Sequence, residues 1–206
     1  MRVLITGGNG TMAQAIKKKL EEAGYNVFAP NRTDMDITNE TQIKGITKAF
    51  NPDILINNAG YIIPNSIVDI SLEEWEKHLK INLTGAFLCS KEAILNGCKT
   101  IINIGSTSAF EGRAKWGSYC AGKAGGTSLV ETLVEEGLEA YSLNPARTAT
   151  KMRENLFPNE DKSTLMPPER IGEFVLRILN KEFENGSHII VTKDKHIVIP
   201  KRKCPK

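Results

Sequence analysis

The stretch that decides the fold lies at the start of the chain and reads MRVLITGGNGTMA over residues 1–13. The apolar run at 2–6 predicts a β-strand, and apolar residues at helical spacing predict a helix over 12–23. Glycines between a strand and a helix permit a tight turn and a close approach of a pyrophosphate, and the helix N-terminus adds free amides and a favourable dipole. A plain structural turn is the alternative. We predict a dinucleotide-binding turn made of Gly7, Gly8, Asn9, Gly10, Thr11 and Met12.

Strand and helix patterns alternate through the rest of the chain. Short apolar runs predict strands at 25–29, 53–57, 100–104, 140–143 and 188–192. Helical spacing predicts helices at 39–50, 118–136 and 168–179, and a capping box at 71–74 opens a long helix that runs to residue 89 or beyond. This alternation predicts an α/β fold in which a doubly wound parallel sheet carries helices on both faces. We expect one domain over residues 1–206, with a mobile loop at 151–166, where no periodicity is found.

Composition and charge disfavour several classes of protein. The chain of 206 residues is 40% hydrophobic and 25% charged, and its net charge of +3 is mixed along the sequence, so nucleic acid is not an expected partner. The basic run at 201–206 is predicted to be a solvated terminus. Four cysteines and three histidines are too scattered for a metal site. Free thiols, together with no signal peptide and no membrane-spanning run, predict a cytoplasmic protein without a membrane partner.

The end of the second predicted strand selects the cofactor. A carboxylate there would bind the ribose diol of NAD(H), whereas an arginine can bind the 2′-phosphate of NADP(H). The sequence reads VFAPNR over 27–32, with no carboxylate before Asp34. Arg32 therefore favours NADP(H) over NAD(H), the alternative being an exposed loop arginine. Asp36 and Ile37 are predicted to flank the adenine, or else Asp36 starts the next helix.

A candidate proton-transfer site lies in the second half of the chain. Tyr119 and Lys123 are four residues apart, so they share one face of the predicted helix. The lysine ammonium would favour the phenolate and lower the tyrosine pKa. Ser106, at the end of a predicted strand, could hold a substrate oxygen against the phenol. Taken alone, the Tyr-x-x-x-Lys spacing is more typical of two surface residues on a helix.

Several motifs together resemble those of the short-chain dehydrogenase/reductases. They are TGGNG at 6–10, NNAG at 57–60, Asn82, Ser106, Tyr119 with Lys123, and PARTAT at 145–150, in the order and spacing of that family. The resemblance implies a single-domain Rossmann fold. It also implies an NADP(H)-dependent oxidoreductase that transfers hydride between the nicotinamide and a small carbonyl or alcohol substrate.

The same resemblance implies roles for the matched residues. Tyr119 would be the general acid/base, and Lys123 would hold the nicotinamide ribose and lower the tyrosine pKa. Ser106 would polarise the substrate carbonyl, and Asn82 would anchor a water in a proton relay. The adenosine side of the cofactor would be lined by Asn58, Ala59 and Gly60, and the nicotinamide carboxamide gripped by Pro145, Ala146, Thr148 and Thr150.

The chain also departs from the family pattern. The glycine motif is spaced G-x-x-G-x-x-A, and Ala146 replaces a usual glycine. The region from Arg32 to Asp36 is so short that a strand and a helix usually found there would be reduced or absent. This compression favours, as an alternative, a sugar-nucleotide or polyol-phosphate reductase. The non-enzyme alternative is a regulator that senses NADP(H) without turnover, which the complete set of Ser106, Tyr119 and Lys123 disfavours.

Two of the predicted helices, at 71–89 and 118–136, carry apolar residues over a wide surface. These residues include Leu83, Phe87, Leu129 and Leu133. Relatives commonly pair these two helices between subunits. We therefore expect a homodimer or homotetramer of closed symmetry, the alternative being that both helices bury only against their own sheet.

Overall fold

The computed structural model describes residues 1–202. The end of the predicted basic tail, including Cys204, lies outside the described residues. Residues 1–202 form seven strands in one sheet. The strands are β1 (Arg2–Ile5), β2 (Asn26–Phe28), β3 (Ile54–Asn57), β4 (Thr100–Ile104), β5 (Glu139–Pro145), β6 (His188–Val191) and β7 (His196–Ile199).

The order of the strands fixes where a ligand can bind. The sheet runs β2-β1-β3-β4-β5-β6-β7, and every pair is parallel except β6 with β7. The direction of winding reverses between β1 and β3, because the chain moves outward to β2 before it returns to β3. In open α/β sheets ligands bind beyond the carboxyl ends of the strands at such a reversal. The predicted α/β fold with a doubly wound parallel sheet is confirmed.

Helices cover both faces of the sheet. One face is covered by the first and last helices, whose apolar residues join those of β1, β5 and β6 in one cluster. The other face is covered by the second, fourth and fifth helices. The helices are α1 (Thr11–Glu22), α2 (Glu40–Phe50), α3 (Leu72–Leu79), α4 (Gly85–Leu95), α5 (Gly117–Glu135), α6 (Lys151–Leu156) and α7 (Glu169–Leu179).

The shortened region after β2 is confirmed. Between Phe28 and Glu40 the chain forms only turns. The Asn31 side chain accepts hydrogen bonds from Thr33, and the Asp36 carboxylate accepts two from Thr38, so side chains hold this segment in place of a strand or helix. As a result β2 is an edge of the sheet.

The end of the chain differs in two ways from the sequence analysis. The strand predicted at 188–192 is followed by β7, which was not predicted and which pairs with it in the antiparallel direction. The segment 151–166 is not an irregular loop, since it contains α6 and a 3₁₀ turn at Lys162–Thr164. The Thr150 hydroxyl caps α6 by accepting from the Arg153 amide at 3.1 Å, and Arg153 Nε lies 2.6 Å from Glu160 Oε2. Polar contacts build this segment, so a search for apolar periodicity does not detect it.

The described residues include no helix that could cross a membrane and no group of three or more acidic, cysteine or histidine side chains placed to hold a metal ion.

We predict that Gly172 is required for the close packing of α7 on α1. A Cβ atom at Gly172 would lie 2.9 Å from Lys19 Cβ and 3.0 Å from the Ala15 carbonyl oxygen, so Gly172→Ala is expected to cost about 1–3 kcal/mol of stability. Gly45, inside α2, has open space around it, and Gly45→Ala is expected to stabilise the protein by about 0.5–1 kcal/mol. Urea unfolding of both variants measures the two effects, and shifts of the same sign would contradict the packing account.

Candidate active site

A large cavity lies beyond the carboxyl ends of β1 and β3, where the sheet order reverses. Its volume is about 600 Å³. It is lined by twelve of the residues predicted to bind cofactor, which are Gly7, Asn9, Gly10, Thr11, Met12, Arg32, Asp36, Ile37, Asn58, Ala59, Gly60 and Thr150. The remaining lining residues were not predicted to bind cofactor, and they are Met35, Tyr61, Ile62, Ile81, Lys151, Met152, Asn155 and Leu156.

The glycine-rich turn has the conformation that its glycines allow. Gly7 has a φ of +71°, in the left-handed region that favours glycine, and its carbonyl accepts from the Gly10 amide at 3.0 Å. Helix α1 then begins with no side-chain cap and no acidic residue in its first turn. Its first amides and its positive end are therefore available to an anion in the cavity.

Gly8 differs from the other residues of this turn, because it does not line the cavity. Its amide donates to the Pro30 carbonyl at 2.8 Å, and a Cβ atom there would lie 1.9 Å from the Ala29 carbonyl oxygen. Gly8 therefore lets the turn approach the end of β2, and its own amide is already hydrogen-bonded.

Thr6 fixes the floor of the cavity and was not predicted. Its buried hydroxyl accepts hydrogen bonds from the amides of Asn58 and Ala59, both at 3.0 Å, and its carbonyl accepts from Asn58 Nδ2 at 2.9 Å. These three bonds join the carboxyl end of β1 to the segment that follows β3. The side-chain amide of Asn58 thus donates its hydrogen bond to the protein's own backbone.

Arg32 stands at the mouth of the cavity and is not a free cation. Its side chain is 80% exposed, and its Nε donates to Asp36 Oδ2 at 3.2 Å. Burial raises the pKa of Asp36, but hydrogen bonds from Thr38 and the nearby guanidinium outweigh it and hold that pKa below its usual range. The Asp36 carboxyl is therefore charged at neutral pH.

A second, smaller cavity adjoins the first and is lined by two of the predicted catalytic residues. Its volume is about 90 Å³, and Ser106 and Tyr119 both line it. It shares Met12, Ile62, Thr150, Met152 and Leu156 with the large cavity, so the two are adjacent. The predicted nicotinamide-binding residues Pro145, Ala146, Thr148 and Thr150 also lie in its wall.

Tyr119 and Ser106 are brought together by α5 and the end of β4. Tyr119 lies in the first turn of α5, and Ser106 caps the short 3₁₀ turn Thr107–Ala109 by accepting from the Ser108 amide at 3.1 Å. Burial raises the pKa of the Tyr119 phenol to about 12, while a hydrogen bond with Ser106 and the charge of Arg113 lower it by less. The phenol is therefore protonated at neutral pH.

Lys123 lies behind Tyr119 and lines neither cavity. Only 6% of it is exposed, its Nζ donates to the Ile104 carbonyl at 2.8 Å, and this nitrogen is 5.7 Å from the centre of the Tyr119 ring. Burial lowers the pKa of the ammonium to about 8. The expectation of a lowered tyrosine pKa is wrong for this structure, because burial of the phenol raises that pKa.

Asn82 is held by an irregular turn that the sequence did not reveal. The predicted long helix is interrupted at Lys80–Thr84 by a π turn between α3 and α4. Asn82 Nδ2 donates to the carbonyls of His78 and Tyr61 at 3.0 and 2.7 Å, and its Oδ1 accepts from the Tyr61 amide at 3.1 Å. π turns inside helices occur often at functional sites.

Gly60 lies between Asn82 and Lys123. A Cβ atom at this position would be 3.3 Å from Asn82 Oδ1 and 3.6 Å from Lys123 Nζ. The backbone at Gly60 is thus the place where the wall of the large cavity meets the two buried polar side chains.

Two further residues of the small cavity were missed by sequence reasoning. Arg113 Nη2 donates to Thr107 Oγ1 at 3.0 Å, and the Trp116 ring meets the Tyr119 ring edge-on at 5.6 Å between centroids. Both residues lie in the segment between β4 and α5, where neither a motif nor a periodic pattern marks them.

The family model described as short chain dehydrogenase matches residues 31–161, which is more than half of the chain. The protein therefore belongs to the short-chain dehydrogenase family and is an NAD(P)-binding oxidoreductase. The match includes the segment of Asn58, Ser106 and Tyr119 and excludes the glycine-rich turn.

Individual relatives agree with this assignment. The chain is 29% identical to the 3-oxoacyl-acyl-carrier-protein reductase FabG of Buchnera aphidicola subsp. Schizaphis graminum, over 90% of this chain and 91% of the relative. It is 27% identical to the (S)-benzoin-forming benzil reductase of Bacillus subtilis, over 89% and 95%. In fold it is similar to an actinorhodin polyketide ketoreductase variant solved with NADPH, with a TM-score of 0.85, 18% identity, and 93% and 95% of the two chains covered.

Proposed function

We propose that the protein transfers hydride between NADP(H) and a small carbonyl or alcohol substrate. The observation that carries this proposal is the position of Tyr119 and Ser106. Both line a small cavity that adjoins the large one. A substrate oxygen between the two hydroxyls would leave its carbon facing the large cavity.

The large cavity fits a dinucleotide by its shape and by its hydrogen-bond donors. The uncapped first turn of α1 offers amides to a pyrophosphate, and the glycine at position 7 removes the side chain that would block its approach. Asn58, Ala59 and Gly60 would line the adenosine side. Pro145, Ala146, Thr148 and Thr150 would hold the carboxamide end. When bound, the nicotinamide supplies or accepts the hydride.

The protein's own part in the reaction is to bind the oxygen and move its proton. Ser106 and Tyr119 donate hydrogen bonds to the carbonyl oxygen, which develops negative charge as the carbon is reduced. Because the pKa of Tyr119 is about 12, the phenol holds its proton and can give it to that oxygen. Lys123, charged below pH about 8, then stabilises the phenolate left behind. Asn82 would anchor a water in the proton relay that reaches Lys123.

The preference for NADP(H) rests on Arg32. This guanidinium lines the large cavity beyond the end of β2, on the side of Asn58 and Ala59, where the ribose of an adenosine would lie. Asp36 partly neutralises it at 3.2 Å and would repel a 2′-phosphate. The preference for NADP(H) therefore depends on the guanidinium leaving this carboxylate for the phosphate.

We predict that Tyr119→Phe lowers turnover by about 10²–10⁴-fold, the contribution of a positioned general acid. The phenylalanine ring keeps the packing against Trp116 but has no proton to give. Oxidation of NADPH with a panel of carbonyl compounds measures turnover, and fluorescence titration of NADPH shows whether cofactor binding is retained. Turnover within a factor of two of the wild type would refute the assignment.

We predict that Arg32→Ala weakens NADPH binding by about 10- to 100-fold, the size expected for hydrogen bonds to a charged group. The same change should leave NADH binding within a factor of about two, since NADH lacks the phosphate. Asp36→Asn provides the opposite control, because it removes a repelling charge and should tighten NADPH binding. Titrations of NADPH and NADH measure the two affinities in each variant. Equal affinities in the wild type would exclude the proposed preference for NADP(H).

We propose that the chain forms a homodimer or homotetramer through α4. The apolar surface is narrower than expected, because Leu133 is buried in its own core and Leu83 packs on Gly125 of its own α5. Phe87 remains 45% exposed on α4. Light scattering should give an oligomer for the wild type and for Val68→Asp, which lies outside these helices, and a 22.7 kDa monomer for Phe87→Asp. A monomeric wild type at micromolar concentration would contradict the proposal.

A further inference from the structure

The small cavity is lined by positive charge. Arg113, Arg147 and Arg153 line it, and its wall contains no aspartate or glutamate. Two of these arginines already have a partner, since Glu160 lies 2.6 Å from Arg153 Nε and 3.4 Å from Arg147 Nη1. Arg113 lies 3.8 Å from Glu111, whose side chain is largely exposed, and such surface pairs contribute little. Arg113 is therefore the cation whose charge is least compensated.

The guanidinium of Arg113 is held in place but not fully hydrogen-bonded. Its Nη2 donates to Thr107 Oγ1 at 3.0 Å, and its Cζ lies 5.7 Å from the centre of the Trp116 ring. Its Nε is buried and has no hydrogen-bond partner among residues 1–202. A buried donor on a charged group is costly when it has no acceptor. The geometry of Arg113 is thus that of a binding site whose acceptor belongs to a ligand.

Arg113 is close to the atoms that would react. It lines the same small cavity as Ser106 and Tyr119, and the Trp116 ring packs against both Arg113 and Tyr119. Because this cavity has a volume of only about 90 Å³, one molecule that contacts both the phenol and the guanidinium must be small. The group bound by Arg113 would be separated from the reacting carbon by only a few bonds.

We propose that Arg113 binds a carboxylate or phosphate group of the substrate, so that the substrates are small anionic carbonyl or alcohol compounds. This inference rests on the proposed function, because it takes the oxygen beside Ser106 and Tyr119 as the reacting one. Nε–H and the free Nη protons form the planar fork that matches the oxygens of either anion.

The test compares anions with their neutral counterparts in the NADP⁺ complex, where a carbonyl compound binds without turnover. The probes are 3-oxobutanoate with its methyl ester, and dihydroxyacetone phosphate with dihydroxyacetone. Trp116, in the cavity wall, reports binding through its fluorescence. The wild type should bind at least one anion about 10- to 100-fold more tightly than its neutral counterpart, and the tighter anion shows whether the group is a carboxylate or a phosphate.

Variants then assign this preference to one residue. Arg113→Gln should reduce the ratio of anion to neutral affinity by about 10- to 100-fold, and Arg113→Lys, which keeps the charge without the fork, should restore part of it. Arg147→Gln is the matched control, because Arg147 lines the same cavity but faces Glu160. Unchanged NADP⁺ binding in each variant shows that the fold is retained.

Three outcomes overturn the inference: no saturable binding of either anion, no preference for the anions in the wild type, or a preference that survives Arg113→Gln. NADPH oxidation with the same probes is measured separately. Reduction of the neutral ester or ketone without any preference for anions would leave the proposed function standing and overturn the inference. Anion binding that depends on Arg113, with no oxidation of NADPH by any carbonyl compound tested, would support the binding site and count against the proposed function.

Discussion

The cavities of this protein depend on three hydrogen bonds that Thr6 makes at the carboxyl end of β1. Its hydroxyl and carbonyl oxygens bind the two amides and the side chain that follow β3, so the two strands on either side of the reversal end together. The glycine-rich turn begins at the next residue and the other wall of the large cavity begins at Asn58. A small polar side chain, fully buried, therefore sets the distance between the two walls before any ligand arrives.

A second constraint is the π turn that holds Asn82 behind Tyr119. The π turn at Lys80–Thr84 displaces Asn82 from the ordinary helical ladder, and its side chain takes up the His78 carbonyl and the backbone of Tyr61. His78 is itself buried and accepts from the Ile63 amide at 3.0 Å. Side chains from α3 and from the π turn thus hold the segment 61–63. This segment contributes Tyr61 and Ile62 to the wall of the large cavity. The π turn therefore helps to set the shape of that cavity.

The sequence predicted the alternating elements from local patterns, and it predicted most of the cavity wall from the glycine-rich turn, the end of the second strand and the motifs that resemble the short-chain dehydrogenase/reductases. Apolar periodicity places the strands and long helices, and glycines after the first strand mark the turn at Gly7. Features built by polar contacts across the chain were missed. Helix α6 rests on a threonine cap and an ion pair, the π turn has no sequence pattern of its own, and Arg113 lies in a segment without periodicity. The pKa of Tyr119 was given the wrong direction because burial cannot be read from the spacing of two residues.

The missing strand and helix after β2 have a consequence for the solvent around Arg32. With β2 as the edge of the sheet, nothing follows it in the sheet to shield Arg32, which stays 80% exposed. Coulombic attraction at such a position is screened by dissolved ions, with a Debye length of about 8 Å at physiological ionic strength. Any preference for NADP(H) that the Arg32 guanidinium provides therefore weakens as the salt concentration rises. The buried groups around Tyr119 are screened much less. Ionic strength would thus alter the proposed preference for NADP(H) without altering proton transfer at Tyr119.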